Sequence, residues 1–183
     1  MRSALIVIDM LNDFVDGSLG NPAAKEIVAP IATLVGQARE TDEWVVVYAN
    51  DAHLASDVEL RVFPPHAMAG TPGAAVIGEL EPHAHDVVVP KRFYSAFTET
   101  ELEQQLGFHD VGRLVLVGQH TDCCVRHTSY DAFVRGFELV VCPEATTVFG
   151  PGSSEPVSDR QARALEYLRT YYGARLEAPA AVA

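Results

Sequence analysis

"RLVLVGQHTDCCVRHTSYDAFVRGFELVVC", residues 113–142, holds two apolar runs and the segment between them. RLVLVG (113–118) and FELVVC (137–142) are rich in valine and do not alternate with polar residues, which is typical of strands buried on both faces. Residues 123–135 between them follow a helical pattern closed by Gly136. A strand, a helix and a strand in this order predict a parallel pair joined by a right-handed crossover.

The same alternation extends along the rest of the chain. Further strands are predicted from ALIVI (4–8), WVVVYA (44–49), DVVVP (86–90) and, as a possible sixth, ARLEA (174–178). The whole pattern predicts an α/β fold, a three-layer sandwich with a mainly parallel sheet of about six strands. We expect a single domain over residues 1–183.

Three further helices are predicted between these strands. The first covers about 23–40, the second runs from Thr98 to near Gly107, and the last runs from Ser158 to Gly173. The second and the last begin with capping boxes, in which Thr98 pairs with Glu101 and Ser158 with Gln161.

Composition narrows the class of partner. The net charge of −12 repels phosphate backbones and anionic lipid, so we expect neither nucleic acid nor membrane as a partner. Asp9 interrupts the first apolar run far short of a signal-peptide core or a membrane span. The three cysteines are an odd number and two are adjacent, which argues against a disulfide framework and favours a reducing cytoplasm.

Reactive side chains follow four of the predicted strands. Asp9 follows the first, Asp51 and His53 the second, Lys91 the third, and the QHTDCC segment the fourth. Because the carboxyl ends of parallel strands lie on one edge of a sheet, these residues are expected to converge there. A carboxylate, a lysine and a thiol together predict an active site.

The adjacent thiols raise the question of which one is a nucleophile. Cys123 and Cys124 both lie at a predicted helix N-terminus, where unpaired N–H groups lower a thiol pKa and where Thr121 or Asp122 is a natural cap. Cys142 ends a strand and is interpreted as a small buried residue. The pattern alone leaves the choice between the neighbouring pair open.

Residues 50–74 contain a second group of polar side chains, with the sequence NDAHLASDVELRVFPPHAMAGTPGA. An aspartate and a histidine spaced D-x-H on an extended chain point to the same side and suit one cation. The candidate ligands form a mixed nitrogen and oxygen set, which suits Zn²⁺, Fe²⁺ or Mn²⁺. They are Asp51, His53, Asp57, Glu59 and His66. A polar loop can also gather such residues by chance, and spacing does not separate the two readings.

The segment GQHTDCCVRHTSYDAF resembles the nucleophile segment G-x-x-T-D-x-C-V-x-x-T-x-x-D-A of the isochorismatase-like cysteine hydrolases. In that register Cys124 takes the place of the nucleophile and Cys123 is its variable neighbour. ALIVIDMLNDF resembles the family's opening strand with Asp9, and KRFYSAF resembles the segment with the catalytic Lys91. Three motifs in the family's order cover nearly the whole chain.

The resemblance implies a mechanism. Asp9 takes the thiol proton as general base, Lys91 stabilises the thiolate, and Cys124 attacks a carbonyl carbon. The backbone N–H groups of His120 and Cys124 hold the oxyanion. This chain departs from the family at Gln119 and His120, where small or apolar residues are usual and where many members have a cis peptide bond.

The second polar group resembles the metal site of nicotinamidases. These enzymes carry D-x-H, then W/F-P-P-H, then G-T-x-G, and this chain has Asp51 and His53, then FPPH ending in His66, then Gly70, Thr71 and Gly73. Glu59 matches a fourth ligand seven residues before the last histidine, with Asp57 as its rival. The implied cofactor is one divalent transition metal that anchors a pyridine nitrogen, with no organic cofactor.

An aromatic slot for a flat ring would be formed by Phe14, Phe63 and Tyr94 by the same match, with core packing of all three as the alternative and neither reading favoured for Phe14. The prediction is a cysteine amidase that converts nicotinamide to nicotinate and ammonia. The alternatives are an N-carbamoylsarcosine-amidase-like or other carbamoyl hydrolase, an isochorismatase, and a binding protein on a catalytically dead hydrolase fold. The family resemblance also implies a homo-oligomer.

Overall fold

A six-stranded sheet forms the centre of the molecule in a computed structural model that describes residues 1–182. Its order is β3-β2-β1-β4-β5-β6 and every neighbouring pair is parallel. The strands are β1 (Arg2–Ile8), β2 (Trp44–Asp51), β3 (Val87–Lys91), β4 (Val111–Gln119), β5 (Glu138–Thr147) and β6 (Arg175–Leu176). The predicted parallel α/β sheet is confirmed, and the possible sixth strand exists but has only two residues.

Helices cover both faces of this sheet. They are α1 (Asn12–Val15), α2 (Ala24–Arg39), α3 (Leu102–Phe108), α4 (Cys124–Val134), α5 (Val157–Tyr172) and α6 (Pro179–Val182). Three short 3₁₀ segments lie between β2 and β3, at Val58–Arg61, Pro72–Ala74 and Gly78–Leu80. No helix within residues 1–182 is long and apolar enough to cross a membrane.

The central strands supply side chains to two cores because successive residues of a strand point to opposite faces. Leu5 of β1 packs in one core with Ile31 of α2. Ile6, the next residue, packs in the other core with Val125 of α4 and Leu168 of α5. This alternation explains why the strands read as continuous apolar runs, and it produces the predicted three layers.

The strand order places a crevice between β1 and β4. The chain continues from β1 to β2 on one side, and β4 pairs on the other side, so the carboxyl ends of β1 and β4 mark a topological switch point. Gly118 near the end of β4 lets this strand lie close to the end of β1. Its φ is +102°, and an added Cβ would lie 2.1 Å from the Ile8 carbonyl oxygen.

The capping box predicted at Thr98 is wrong. The helix α3 begins four residues later, at Leu102. Glu99 has a φ of 54°, in the left-handed region, so a right-handed helix cannot run through it. The hydroxyl of Thr100 instead accepts a hydrogen bond from the Leu102 N–H at 3.2 Å.

The capping box predicted at Ser158 is also wrong. The helix α5 begins at Val157, directly after Pro156, and its N-terminus has no side-chain cap. The Gln161 amide turns to the sheet instead and donates to the Thr146 carbonyl at 2.9 Å. That contact is possible because β5 continues to Thr147, five residues beyond its predicted end.

Candidate active site

Asp9 lies at the switch point, directly after β1, with only 1% of its surface exposed. Its Oδ1 accepts a hydrogen bond from the Asp51 N–H at 2.8 Å, and its Oδ2 lies 2.8 Å from the Lys91 ammonium. Burial, followed by the charge of Asp51, raises the pKa of Asp9 to about 7, although Lys91 lowers it. A carboxylate with a pKa near neutrality is suited to exchange protons in a general acid–base step.

Lys91 ends β3 and is fully buried. Its Nζ lies 2.8 Å from Asp9 Oδ2, 2.5 Å from Asp51 Oδ1 and 3.6 Å from Cys124 Sγ. Burial opposes the charge, but Asp51, Asp9 and Cys124 outweigh it and raise the Lys91 pKa well above its usual value. The side chain is therefore a permanent cation between two carboxylates and a thiol.

Cys124 is the first residue of α4 and is 5% exposed. Its sulfur, an Asp9 oxygen and an Asp51 oxygen all lie within 4.8 Å of one another. The lysine ammonium in the midst of these atoms makes them a reacting group rather than a metal site. The structure thus brings together the three residues predicted as catalytic.

The two neighbouring thiols differ in environment. The Cys123 thiol and burial raise the pKa of Cys124 well above its usual value, although Lys91 lowers it. Cys124 therefore keeps its proton at rest, and a neighbouring base must remove it. Hydrogen bonding to the Cys124 thiol, and then to His127, lowers the pKa of half-buried Cys123 to about 6, although burial raises it. Cys123 therefore has the thiolate character that the helix terminus was expected to give the nucleophile.

Neither Thr121 nor Asp122 caps α4, contrary to the sequence prediction. Cys123 occupies the cap position, and no side chain in the described part of the chain caps this N-terminus. The Asp122 carboxylate is drawn away to Arg160 of α5, 2.8 Å distant. The helix terminus consequently keeps free N–H groups close to the reactive thiols.

The backbone amides of His120 and Cys124, predicted as oxyanion donors, have no acceptor among the described residues. The bond between Gln119 and His120 is cis. The carbonyl of His120 accepts from the Cys123 and Val125 N–H groups, at 2.9 and 3.1 Å. These bonds hold the turn that places the two free amides beside the thiol.

A second cluster lies next to the first and contains Asp51, His53, Glu59 and His66. One ligand atom from each of these residues lies within 4.8 Å of all the others. Asp51 Oδ2, His53 Nε2 and His66 Nε2 are buried and have no hydrogen-bond partner within residues 1–182. Converging buried nitrogen and oxygen atoms without partners are the donor set that a divalent transition metal takes.

The rival of Glu59, Asp57, lies behind this cluster. Its Oδ2 is 3.1 Å from His53 Nδ1, and its carboxylate is also held by Arg92. The His66 Nδ1 lies 2.7 Å from the Pro64 carbonyl oxygen, so both histidines present Nε2 to the cluster. Asp57 is placed to orient a ligand histidine, as outer partners do in metal sites, while Glu59 is placed among the ligands.

Asp51 joins the two clusters. One carboxylate oxygen contacts Lys91, and the other faces His53 Nε2 at 3.6 Å. Its position follows from the register of β2 with β3, in which Asp51 is paired with Lys91. The metal-type cluster and the reacting group therefore share a side chain.

A cavity of about 330 Å³ opens onto both clusters. Phe14, Phe63 and Tyr94, the predicted aromatic residues, all line it. The other lining residues are Leu19, Asp51, Glu59, His120, Asp122, Cys123, Cys124, Phe149 and Arg160. Its size and its apolar walls with a few polar groups suit one small planar molecule.

Several pocket residues were missed by the sequence reasoning. Phe149 follows the extended end of β5, and Arg160 reaches the pocket from α5, where it donates to the Asp122 carboxylate at 2.8 Å. Neither position has a local signal, because both depend on how far β5 extends and on how α5 packs on the sheet. A longer prediction for β5 would have placed Phe149 near the site.

A buried amide network supports the aromatic wall of the cavity. Gln119 Nε2 donates to the carbonyl oxygens of Asp9, at 3.2 Å, and Phe14, at 3.4 Å. Asn21 Nδ2 donates to Gln119 Oε1 at 3.2 Å and to the Val148 carbonyl at 2.9 Å. The two amides thus tie the segment bearing Phe14 to the loop bearing Phe149.

Asn21→Ala is expected to lower the free energy of unfolding by about 1–3 kcal/mol, because it leaves the buried Gln119 and Val148 oxygens without their donor. Urea unfolding of the variant and the native protein measures this difference. Gln104→Ala removes an amide from an exposed position and should change stability little. Equal losses in the two variants would show that the network does not hold the wall.

Comparison with known proteins identifies the family. The isochorismatase domain model matches residues 3–176, so the chain belongs to the isochorismatase family. The resemblance found in the sequence is thereby confirmed, and the protein is an isochorismatase-family hydrolase.

Three similar proteins illustrate the activities named within the family. The chain is 40% identical over 163 residues to an isochorismatase family protein, PncA, of Bacillus subtilis, covering 81% of this chain and 88% of that one. N-carbamoylsarcosine amidase from Thermoplasma acidophilum is 34% identical, with a TM-score of 0.87 over 98% of this chain and 97% of that one. Pyrazinamidase of Pyrococcus horikoshii in complex with zinc is 27% identical, with a TM-score of 0.85 over 97% and 99%.

Proposed function

We propose that this hydrolase is a cysteine amidase that converts nicotinamide, or a closely related planar carboxamide, to the acid and ammonia. The observation that supports it is a single cavity of about 330 Å³ opening onto both the Asp9–Lys91–Cys124 group and the cluster of metal-type ligands. A ring bound between the two clusters would present its carboxamide to the thiol. The pyrazinamidase among the similar structures is named for an aromatic carboxamide and contains zinc.

The chain's own residues account for acyl transfer. Asp9 takes the Cys124 proton, and the sulfur attacks the amide carbon while the His120 and Cys124 N–H groups hold the oxyanion. The protonated Asp9 then donates to the departing nitrogen, which leaves as ammonia. Asp9 next takes a proton from water, which adds to the thioester, and collapse of this adduct releases the acid and returns the proton to the sulfur. Lys91 keeps its positive charge throughout and stabilises the anionic sulfur.

The residues that would hold a divalent metal are Asp51, His53, Glu59 and His66. Zn²⁺, Fe²⁺ and Mn²⁺ all suit this set of nitrogen and oxygen ligands. When bound, the metal supplies an electrophilic contact for a ring nitrogen. Asp57 keeps His53 in the orientation that this contact requires.

The second candidate is a carbamoyl hydrolase with the same catalytic residues, which the similarity to N-carbamoylsarcosine amidase supports. An isochorismatase reaction is less compatible with the site, because enol-ether hydrolysis has no use for a cation on a ring nitrogen. A binding protein on a dead fold is disfavoured because Lys91 contacts both Asp9 and Cys124, and these two residues have reactive atoms within 4.8 Å of each other.

An ammonia-release assay separates these candidates. The panel is nicotinamide, pyrazinamide, N-carbamoylsarcosine and ureidoacrylate, with isochorismate turnover measured alongside. The proposal expects the highest kcat/KM for an aromatic carboxamide. Ammonia from N-carbamoylsarcosine alone would establish the second candidate, and turnover of isochorismate alone would contradict both.

Metal removal is expected to weaken substrate binding rather than the fold. The purified protein should hold about one divalent transition metal per chain, and a chelator should raise KM for nicotinamide with little change in melting temperature. His66→Ala should do the same, because the lost contact exists in the ground state and the transition state alike.

His85→Ala is the matched control for this experiment, because it removes an exposed imidazole outside residues 51–66, which contain the four ligands. Elemental analysis and kinetics before and after chelation provide the measurement. A metal-free preparation that hydrolyses nicotinamide at the full rate would refute the role given to the four ligands.

A further inference from the structure

His120 lines the cavity. Its ring meets the Phe14 ring edge-on, with centroids 5.7 Å apart at 90°, and the Phe149 ring at 5.3 Å and 71°. Phe14 lies in α1 and Phe149 in the loop after β5, and the Gln119–Asn21 network holds these two segments together. The orientation of the imidazole is therefore fixed by packing.

The Nε2 atom of His120 is buried and has no hydrogen-bond partner within residues 1–182. A buried polar atom without a partner costs free energy, and a ligand that supplies the partner recovers it. His120 lines the cavity, so a substrate bound there is the molecule placed to contact its imidazole.

The imidazole is neutral at physiological pH. Burial lowers the pKa of His120 to about 4, although the charges of Asp122 and Asp51 raise it. One ring nitrogen then carries a proton and donates a hydrogen bond, and the other nitrogen accepts a hydrogen bond. The side chain can therefore pair with neutral donors or acceptors. It does not offer the positive charge that would select a carboxylate.

Phe14 separates this imidazole from the ligand cluster. Its ring centroid lies 5.3 Å from that of His66 on one side and 5.7 Å from that of His120 on the other. A flat ring lying against Phe14 would therefore have polar groups available at two different edges. The first is the cluster containing His66, and the second is the neutral His120 side chain.

We propose that His120 is a specificity-determining residue that hydrogen-bonds through its imidazole to a second neutral polar group of the substrate. The preferred substrates are then aromatic carboxamides that carry, besides the ring nitrogen for the metal cluster, another ring nitrogen, an amino group or a hydroxyl group. This inference rests on the proposed amidase function and adds the substrate class to it.

The test compares kcat/KM for nicotinamide with that for pyrazinamide and for amino- and hydroxynicotinamides, using the metal-loaded protein. The native protein should prefer the best analogue over nicotinamide by at least about tenfold. His120→Phe keeps an aromatic ring against Phe14 and Phe149 but removes both nitrogens. The altered packing of this variant should lower kcat/KM for all the substrates, and the preference ratio should fall to about one.

Two further variants make the comparison specific. His120→Gln places an amide near the position of Nε2 and should retain part of the preference. His85→Phe makes the same chemical change at an exposed position and should leave the ratio as in the native protein. Binding of the same ligands to Cys124→Ala versions of these proteins, with melting temperatures, separates recognition from folding.

The possible outcomes distinguish the two proposals. If nicotinamide is hydrolysed but no analogue is preferred, or if His120→Phe keeps the native ratio, the inference about His120 is wrong and the amidase proposal stands. If the native protein releases ammonia from no aromatic carboxamide, the amidase proposal fails and the substrate class fails with it.

Discussion

Cys124→Ala is expected to abolish amide turnover, with kcat lower by on the order of 10⁴-fold or more, as for loss of a covalent nucleophile. Cys123→Ala should keep most of the activity. The reason is position: the Cys124 sulfur has Lys91 at 3.6 Å and an Asp9 oxygen within 4.8 Å, and the free N–H groups lie beside it. Steady-state ammonia release from the two variants measures the difference.

Alkylation alone does not identify the nucleophile. Because the Cys123 pKa is about 6, iodoacetamide is expected to label this half-buried thiol readily, and the label would block the cavity. Cys142→Ala is the control for loss of a buried thiol outside the site. An inactive Cys123→Ala protein with an active Cys124→Ala protein would shift the register by one residue and overturn the mechanism.

Lys91→Met is expected to lose activity and to lower the free energy of unfolding by about 3–5 kcal/mol at pH 8 in metal-free protein. The variant leaves Asp9 and Asp51 buried without their countercharge. Urea unfolding measured as a function of pH tests this directly. Lys25→Met removes an exposed lysine, paired only with exposed Asp16, and should cost less than about 1 kcal/mol.

The loss of stability in Lys91→Met is expected to depend on pH. Without Lys91 the folded-state pKa values of Asp9 and Asp51 lie above their unfolded values. The decrease in the free energy of unfolding is therefore complete at a pH above these folded-state pKa values and becomes smaller as the pH drops toward about 4. In the native protein the Lys91 pKa is raised, so its contribution is complete below the unfolded lysine value of about 10.4 and is lost only above it. A deficit that stays the same from pH 5 to pH 8 would contradict the ion-pair account.

The sheet and the position of the site were predictable because they depend on local patterns and a general rule. Valine-rich runs identified the strands, and the residue after each run identified the edge. Asp9 and Lys91 are distant in sequence, yet β1 and β3 both end at the carboxyl edge of the sheet. The choice between Cys123 and Cys124 needed the family resemblance, since both lie at the same helix terminus.

The parts that sequence reasoning missed depend on tertiary packing. The Thr98 and Ser158 capping boxes failed because a left-handed residue and a preceding proline set the helix starts instead. Gln119 pairs with Asn21 across 98 positions of sequence, which no local pattern records. The expected cytoplasmic location and homo-oligomer stay predictions.

In the proposed function, the shared carboxylate of Asp51 would link the binding of the substrate to the catalytic step. Asp51 contacts Lys91 with one oxygen and faces His53 with the other, so it would tie the position of a substrate ring at the ligand cluster to the position of the lysine ammonium. This link explains why two clusters with different chemistry occupy neighbouring strand ends. It also means that Asp51 variants should disturb both metal binding and turnover, whereas His66 variants act mainly on binding.

The most direct test of the central claim is to trap the covalent intermediate. Cys123→Ala protein, which keeps Cys124 as the one thiol in the pocket, is mixed with nicotinamide, quenched in acid within milliseconds and analysed by mass spectrometry. The account predicts a nicotinoyl group on the peptide containing Cys124, formed together with ammonia and absent in the Cys124→Ala protein. Ammonia release at the full rate from an enzyme lacking Cys124, or an acyl group on another residue, would contradict it.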